Sequence, residues 1–320
     1  MMNIVACASD NYTMQCGVLF YSVCKNNVDD NIRFFVITDK LFSDKHKDEI
    51  RQTISQFPNK QISFIEVTDE QVDHFLQFEN SYYTRHVFYR LLMADLLPSD
   101  VDKALYLDCD IIVRHSLRDL WAIDINDFAV GCVHDAQEGN MEQFNRLEYT
   151  YDKGYFNSGV LLANIRYWRE KELSKRFSDY IKTNYTKIVL PDQDVLNAVL
   201  KDEKTFISFS YNLQSGFLWQ EKYMNQFEFV KYKDELSSSA CSPKILHFSG
   251  ARPWIEGCSH PYKSEFFKYR DQTIWKNEPL WPNRKSFKSR LIDALRPIGA
   301  RFGFCHIIPD YYDRTLKLKD

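Results

Sequence analysis

The sequence predicts an α/β fold: a Rossmann-like, mostly parallel central sheet flanked by helices, with a small basic amphipathic helical appendage at the C-terminal end. Three observations predict it. Residues 3–67 alternate strand, helix, strand, helix, strand; residues 103–113 form an apolar run with the composition of a strand buried on both faces; and after residue 275 Pro, Trp and aromatics begin to alternate with charge. Residues 1–275 are therefore assigned to a main domain and 276–320 to a basic, aromatic extension.

Asn3-Ile-Val-Ala-Cys-Ala8 is a short apolar strand that ends in the polar turn Ser9-Asp10-Asn11-Tyr12, which opens a helix through Ser22-Val23. Ile32 to Thr38 reads as a second strand. Ser43 caps a helix to Gln56, with Ile50 and Ile54 at i, i+4, and Gln61 to Val67 is a third strand. Tyr82 to Leu97 looks helical, with Tyr89, Met93 and Leu96 along one face and Arg85 and Arg90 beside them. Phe128 to Val133 is a strand ending in His134-Asp135, and Tyr155 to Ala163 another, entered through Asn157-Ser158-Gly159. Tyr167 to Tyr185 reads as a helix; Pro191-Asp192-Gln193-Asp194 has proline then acid, as helix starts do. Lys244 to His247 is a short strand running into a Gly/Pro loop.

Composition narrows the function. A formal net charge of -3 gives no basic excess to neutralise phosphates, which argues against a nucleic-acid partner. The 8 Cys include no CxxC pair, which suggests a reduced, cytoplasmic protein without a disulfide framework or structural zinc. The first strand begins too early to leave room for a signal peptide, and no apolar stretch approaches the ~20 residues of a spanning helix. The 19 Tyr and 24 Phe mostly fill a core, but such rings also suit sugars.

Within the run Lys103-Ala-Leu-Tyr-Leu-Asp108-Cys-Asp110-Ile-Ile-Val113 the two acids need compensation, since a desolvated carboxylate without a partner costs several kcal/mol. In an extended chain i and i+2 share a side, so Asp108 and Asp110 converge on one cation. The C-terminal end of a strand is where open α/β sheets place ligands. No GxGxxG follows the first strand, so a dinucleotide dehydrogenase is disfavoured, and a diphosphate must be held another way, with a metal the obvious candidate. Near the C-terminal end, Arg284, Lys285, Lys288, Arg290, Arg296 and Arg301 face one acid, Asp293, and Leu291, Ile292, Leu295 and Ile298 supply an apolar side. Such a helix either rests on an anionic membrane or packs on the domain with a solvated basic face.

Tyr106-Leu-Asp108-Cys-Asp110, Phe156-Asn157-Ser158-Gly159, Asp192-Gln193-Asp194 and His247-Phe-Ser-Gly250 through Pro253-Trp254, in this order, resemble the family 8 retaining glycosyltransferases. The resemblance covers roughly residues 3 to 275 and is greatest to bacterial enzymes that add glucose or galactose to lipopolysaccharide or lipooligosaccharide. It implies the GT-A nucleotide-sugar fold for residues 1–275, a UDP-glucose or UDP-galactose donor, and a saccharide or glycolipid acceptor. If the basic helix within residues 284–301 rests on a membrane, the attachment is peripheral, on the inner face. The resemblance also implies Mn²⁺, with Mg²⁺ the alternative, on Asp108, Asp110 and His247; two carboxylates plus an imidazole suit Mn²⁺. Cys7, Ser9, Asn11 and Tyr12 would meet the base, Tyr12 by stacking on uracil; Ser9 stands where relatives often have an acid. Cys109 and Gly250 would border the diphosphate. Arg252 would contact it where the family usually has lysine, one residue closer to the histidine than usual. Arg90, Asn157 and Asp192 would approach the donor sugar, and Asp135 the acceptor.

Retaining glycosidases set a carboxylate nucleophile ~5 Å from the acid. Here the position beneath the anomeric carbon would be Gln193, a poor nucleophile. The resemblance therefore implies a front-face reaction in which the leaving phosphate takes the acceptor's proton and Gln193 stabilises oxocarbenium character. Asp194 as a covalent nucleophile is the alternative. Two other classes stay open. A metal-dependent nucleotide phosphohydrolase would need further acids beside the pair, and Cys109 with Ile111-Ile112 offers none. A non-catalytic nucleotide-sugar binding protein would keep the same motifs.

Overall fold

The computed structural model describes residues 1–72, 85–136, 141–219, 226–283, 291, 295 and 298. Met2–Cys7 (β1), Ile32–Thr38 (β2) and Lys60–Glu66 (β3) lie side by side and parallel, as their apolar composition and short connections require. β1 and β2 are buried nearly throughout, while β3 alternates between half-buried and exposed residues, as an edge strand does. Between them run α1 (Thr13–Asn26) and α2 (Asp44–Ile54); the Ser43 side chain accepts from the His46 backbone N–H and caps α2. Lys103–Leu107 (β4) joins β1 on its other side.

After Leu107 the chain leaves the large sheet, turns through Asp108-Cys109-Asp110 and enters a second sheet at Ile111–Val113 (β5). The apolar run that reads as one strand thus serves two sheets, and the two acids occupy the turn between them. Val130–His134 (β6), α3 (Met141–Leu147) and Phe156–Asn164 (β7) follow. Then come α4 (Leu173–Asn184), α5 (Pro191–Val199), Lys204–Phe206 (β8), Leu213–Gln214 (β9), α6 (Gln226–Cys241), Ile245–His247 (β10) and α7 (Lys263–Arg270). The large sheet has the order β3-β2-β1-β4-β7-β6-β8, with β7 antiparallel to both neighbours; the small one has the order β5-β10-β9. Alternate residues of one strand feed opposite layers: Ile4, Phe34 and Leu105 join one core, Val5, Phe35 and Tyr106 the other.

Two expected helices differ from the sequence reading. From Arg85 to Leu92 the segment before β4 is a 3₁₀ helix, followed by a short α-turn, Met93–Leu96; residues 82–84 lie outside the described residues. The stretch expected as one helix from Tyr167 to Tyr185 breaks at Glu172, which has φ +49°. The break lets Trp168 before it and Leu173, Phe177 and Ile181 after it reach the same core. Past residue 275 the chain still packs on the main domain: the Trp281 N–H donates to the Trp254 carbonyl at 2.7 Å. Of the basic segment 284–301, Leu291, Leu295 and Ile298 are helical and exposed, and the remainder lies outside the described residues. Among the described residues no helix is long and apolar enough to cross a membrane.

Candidate active site

Strand register assembles the first cluster. Antiparallel pairing of β10 with β5 sets His247 opposite Ile111, next to Asp110, and the Phe248 N–H donates to the Asp110 carbonyl. Continuation of the β4–β7 ladder bonds the Asp108 N–H to the Gly159 carbonyl. Three stretches remote in sequence thereby bring one ligand atom each from Asp108, Asp110 and His247 within 4.8 Å of one another. His247 Nε2 lies 3.1 Å from Asp110 Oδ1 and 4.0 Å from Asp108 Oδ2. The other Asp108 oxygen is taken, accepting from the Tyr106 hydroxyl at 2.7 Å and pairing with Arg90 at 2.9 Å.

The electrostatics suit a cation. Burial raises the Asp108 carboxyl above the usual carboxylate range against the pull of Arg90, and Asp110 adds to the rise. Burial also works against charge on Asp110, yet His247 and Arg252 draw its carboxyl below the usual range. His247 is likewise buried, but Asp110 raises its pKa. Gly159 keeps the space open: a Cβ there would sit 2.4 Å from His247 Cε1 and 2.8 Å from Asp108 Oδ2. Two carboxylates and an imidazole, converging where Gly159 contributes no side chain, fit a divalent cation.

Beside this cluster opens a cavity of about 690 Å³. The first loop lines it with Cys7, Ser9, Asn11 and Tyr12, the turn with Asp108, Cys109 and Asp110, and Arg90 and Arg252 add positive charge. His86, Val87 and Trp281, which no sequence motif marks, also line it. The Tyr12 ring meets Trp254 and Trp281 edge-on, with centroids 6.4 and 5.7 Å away, and burial pushes its hydroxyl up to about 12. Asp10 faces elsewhere: it accepts from the Ser43 N–H and pairs with His46 at 2.6 Å, pinning the loop to α2. The Cys7 thiol is pushed up to about 12 by burial, and the Cys109 thiol donates to the Cys7 carbonyl. Both are poor nucleophiles. Gly250 takes φ +97°, a conformation other residues rarely adopt, where the chain turns after His247. The Arg252 Nε is buried with no hydrogen-bond partner among the described residues.

A second cluster adjoins the first through Arg90. This buried guanidinium pairs with Asp108 and, at 3.1 Å, with Asp192, donates to the Ser158 carbonyl and lies over the Tyr106 ring. The Ser158 hydroxyl donates to Asp192 at 2.7 Å. Gln193 Oε1 accepts from the Ser158 N–H and from Asn157, and both amides donate to Asp135 at 3.1 Å. Asp192 and Gln193 reach this position because Pro191 starts α5 there. Asp194 is not brought to the cluster's open side. It is fully buried, and its oxygens accept from Arg146, the Tyr155 hydroxyl and the backbone N–H groups of Val189 and Leu190. A carboxylate so saturated has no free oxygen with which to attack carbon, so its geometry is that of an anchor between α3 and α5.

Comparison with known proteins agrees with this geometry. Residues 3–258 match the profile of the family described as Glycosyl transferase family 8. General stress protein A of Bacillus subtilis (strain 168) is 30% identical over 280 residues, spanning 86% of this chain and 95% of that protein. The lipopolysaccharide glucosyltransferase WaaO of Escherichia coli (strain K12) is 26% identical, over 84% of this chain and 78% of WaaO. Among solved structures, the galactosyltransferase LgtC, in complex with donor and acceptor sugar analogues, superposes with a TM-score of 0.75 at 26% identity, covering 85% of this chain and 96% of LgtC. The chain belongs to glycosyl transferase family 8.

Proposed function

We propose that this retaining hexosyltransferase of glycoconjugate biosynthesis takes glucose or galactose from its UDP ester, with Mn²⁺, and passes it to a saccharide on a membrane glycolipid. The convergence of Asp108, Asp110 and His247 at the edge of a cavity lined by the first loop carries this reading. A divalent cation held by those three residues would neutralise the charge that grows on the departing diphosphate. Mn²⁺ suits the mixed oxygen and nitrogen set better than Mg²⁺.

The chain's own groups supply the rest. Tyr12, Asn11, Ser9 and Cys7 receive the base, Trp281 closing that end; Arg252 and the turn at Gly250 meet the phosphates, with Cys109 alongside. Asp192, Asn157 and Arg90 address the hexose hydroxyls, and Asp135 the acceptor. Gln193, held by Ser158 and Asp135, presents its dipole where oxocarbenium character develops. The saturation of Asp194 supports a front-face route, in which a phosphate oxygen takes the acceptor's proton. The choice between glucose and galactose rests on likeness to WaaO on one side and LgtC on the other. We assign catalysis to residues 1–275, with Trp281 reaching back from the extension, and a place on the inner face of the membrane to residues 284–301. The exposed Leu291, Leu295 and Ile298 support that placement.

Incubation with Mn²⁺ and a panel of UDP-hexoses without acceptor tests the reading. Slow release of one free hexose and UDP is the expected result. UMP formation would instead indicate pyrophosphate hydrolysis, and binding without turnover a non-catalytic carrier.

A further inference from the structure

Asn212 belongs to no motif, yet it is fully buried and joins the two clusters. Its place follows from hydrogen-bond polarity, traced from the backbone outward. A backbone N–H can only donate. The Gly159 N–H meets Asn157 Oδ1 at 3.0 Å, so that atom is the amide oxygen and the Asn157 nitrogen faces Gln193 and Asp135. Asn212 Nδ2 donates to the same Asn157 oxygen at 2.9 Å. The Asn212 oxygen must then point the other way, and it lies 2.9 Å from His247 Nδ1. An amide oxygen only accepts, so Nδ1 carries the hydrogen, and in the neutral imidazole the Nε2 lone pair is left for the space between Asp108 and Asp110. Reversing Asn212 would set its oxygen against the Asn157 oxygen.

We infer that Asn212 is a positioning residue for His247: it fixes the tautomer and ring plane that make Nε2 a metal ligand, and it ties that ligand through Asn157 to Gln193. Ring nitrogens that ligate metals do so when the other nitrogen has an acceptor, and here a side-chain amide fills that role. The scaffold is rigid at this point, because Asn212 immediately precedes β9, whose Gln214 pairs with His247 in the small sheet. Gln193, Asn157, Asn212 and His247 form one directed chain, so a disturbance on the sugar side reaches the metal ligand. The inference rests on the metal site proposed above and goes beyond it.

Two substitutions in the full chain separate its consequences, read by Mn²⁺ titration with electron paramagnetic resonance of the free ion and with thermal melts as controls. Asn212→Asp keeps an acceptor for Nδ1–H and loses the donor to Asn157; Asn212→Leu removes both. Asn212→Leu is expected to weaken Mn²⁺ binding about 10–100-fold, and Asn212→Asp to stay within about threefold of the parent. Equal loss in both variants, the mark of a merely structural role, would overturn the inference, as would parent-like binding by Asn212→Leu. A measurement that needs no variant is nitrogen-15 NMR of the imidazoles in the Mg²⁺–UDP complex of the parent protein. His247 protonated at Nδ1 is the expected result, and the Nε2–H tautomer contradicts it. Failure of the parent to bind Mn²⁺ at all would remove the metal site together with Asn212's task, whereas parent binding untouched by Asn212→Leu removes only the latter.

Discussion

His247 and Asp110 are close enough to share a proton, and that proton competes with any cation for Nε2. Because the His247 pKa is raised, protonation persists to higher pH than usual, so Mn²⁺ affinity should fall as pH drops through that raised pKa and level off above it. Titrations at a series of pH values check the sign. Gly159→Ala would push a methyl into His247 and Asp108, and should weaken Mn²⁺ binding about 10–100-fold, as disturbing what orients a metal ligand does, and lower the melting temperature through overpacking. Asp194 should behave oppositely. Asp194→Ala strips Arg146 and Tyr155 of their partner and is expected to cost about 3–5 kcal/mol in denaturant unfolding. A variant with native stability and no turnover would restore Asp194 as a nucleophile. His260, away from the site, is pushed down to about 3 from its ordinary 6.5 by burial, and its Nδ1 accepts from the Tyr262 N–H. The unfolded chain therefore binds one more proton below pH 6.5. The stability that His260 contributes is complete above that pH and lost as pH falls towards about 3, with a slope of ~1.4 kcal/mol per pH unit. Denaturant unfolding from pH 7 to 4 should show a shallower slope in His260→Gln.

The elements around the site were unequally legible. β1 to β3 and their helices follow the predicted order because apolar runs, the Ser43 cap and the i, i+4 pair in α2 are local signals. The run from Lys103 to Val113 misleads, since both halves are equally apolar although a turn sends them to different sheets. Asp108 and Asp110 meet because of that turn, not because alternate residues of one strand share a face. The segment Arg85–Leu92 carries the apolar spacing of an α-helix but winds as a 3₁₀ helix, a difference that periodicity alone does not reveal. That His247 joins the aspartates depends on antiparallel pairing of β10 with β5, a long-range register that no local pattern encodes; motif resemblance alone pointed to it. His86, Asn212 and Trp281 had no motif to mark them, and sequence position even assigned Trp281 to the extension. Trp281 belongs to the cavity through its bonding to Trp254, and Trp281→Ala should weaken UDP binding by ~1 kcal/mol, about fivefold, in calorimetric titration.

Across the whole molecule, Asp108 follows a strand of the large sheet and His247 ends a strand of the small one, so the candidate site exists only where the two meet. Of the described residues beyond 275, Trp281 lines the cavity. Truncation after Pro282, which keeps Trp281, should lower partitioning onto anionic liposomes and leave donor hydrolysis unchanged; equal partitioning of both forms would remove the membrane role. The proposed function requires that Asp108, Asp110 and His247 together hold one cation facing a UDP pocket. Anomalous diffraction at the manganese edge, from crystals grown with Mn²⁺ and UDP, addresses it most directly. A single peak within bonding distance of both carboxylates and Nε2, with the diphosphate completing its shell, is the expected result. A peak elsewhere, or one that His247 does not touch, would contradict it.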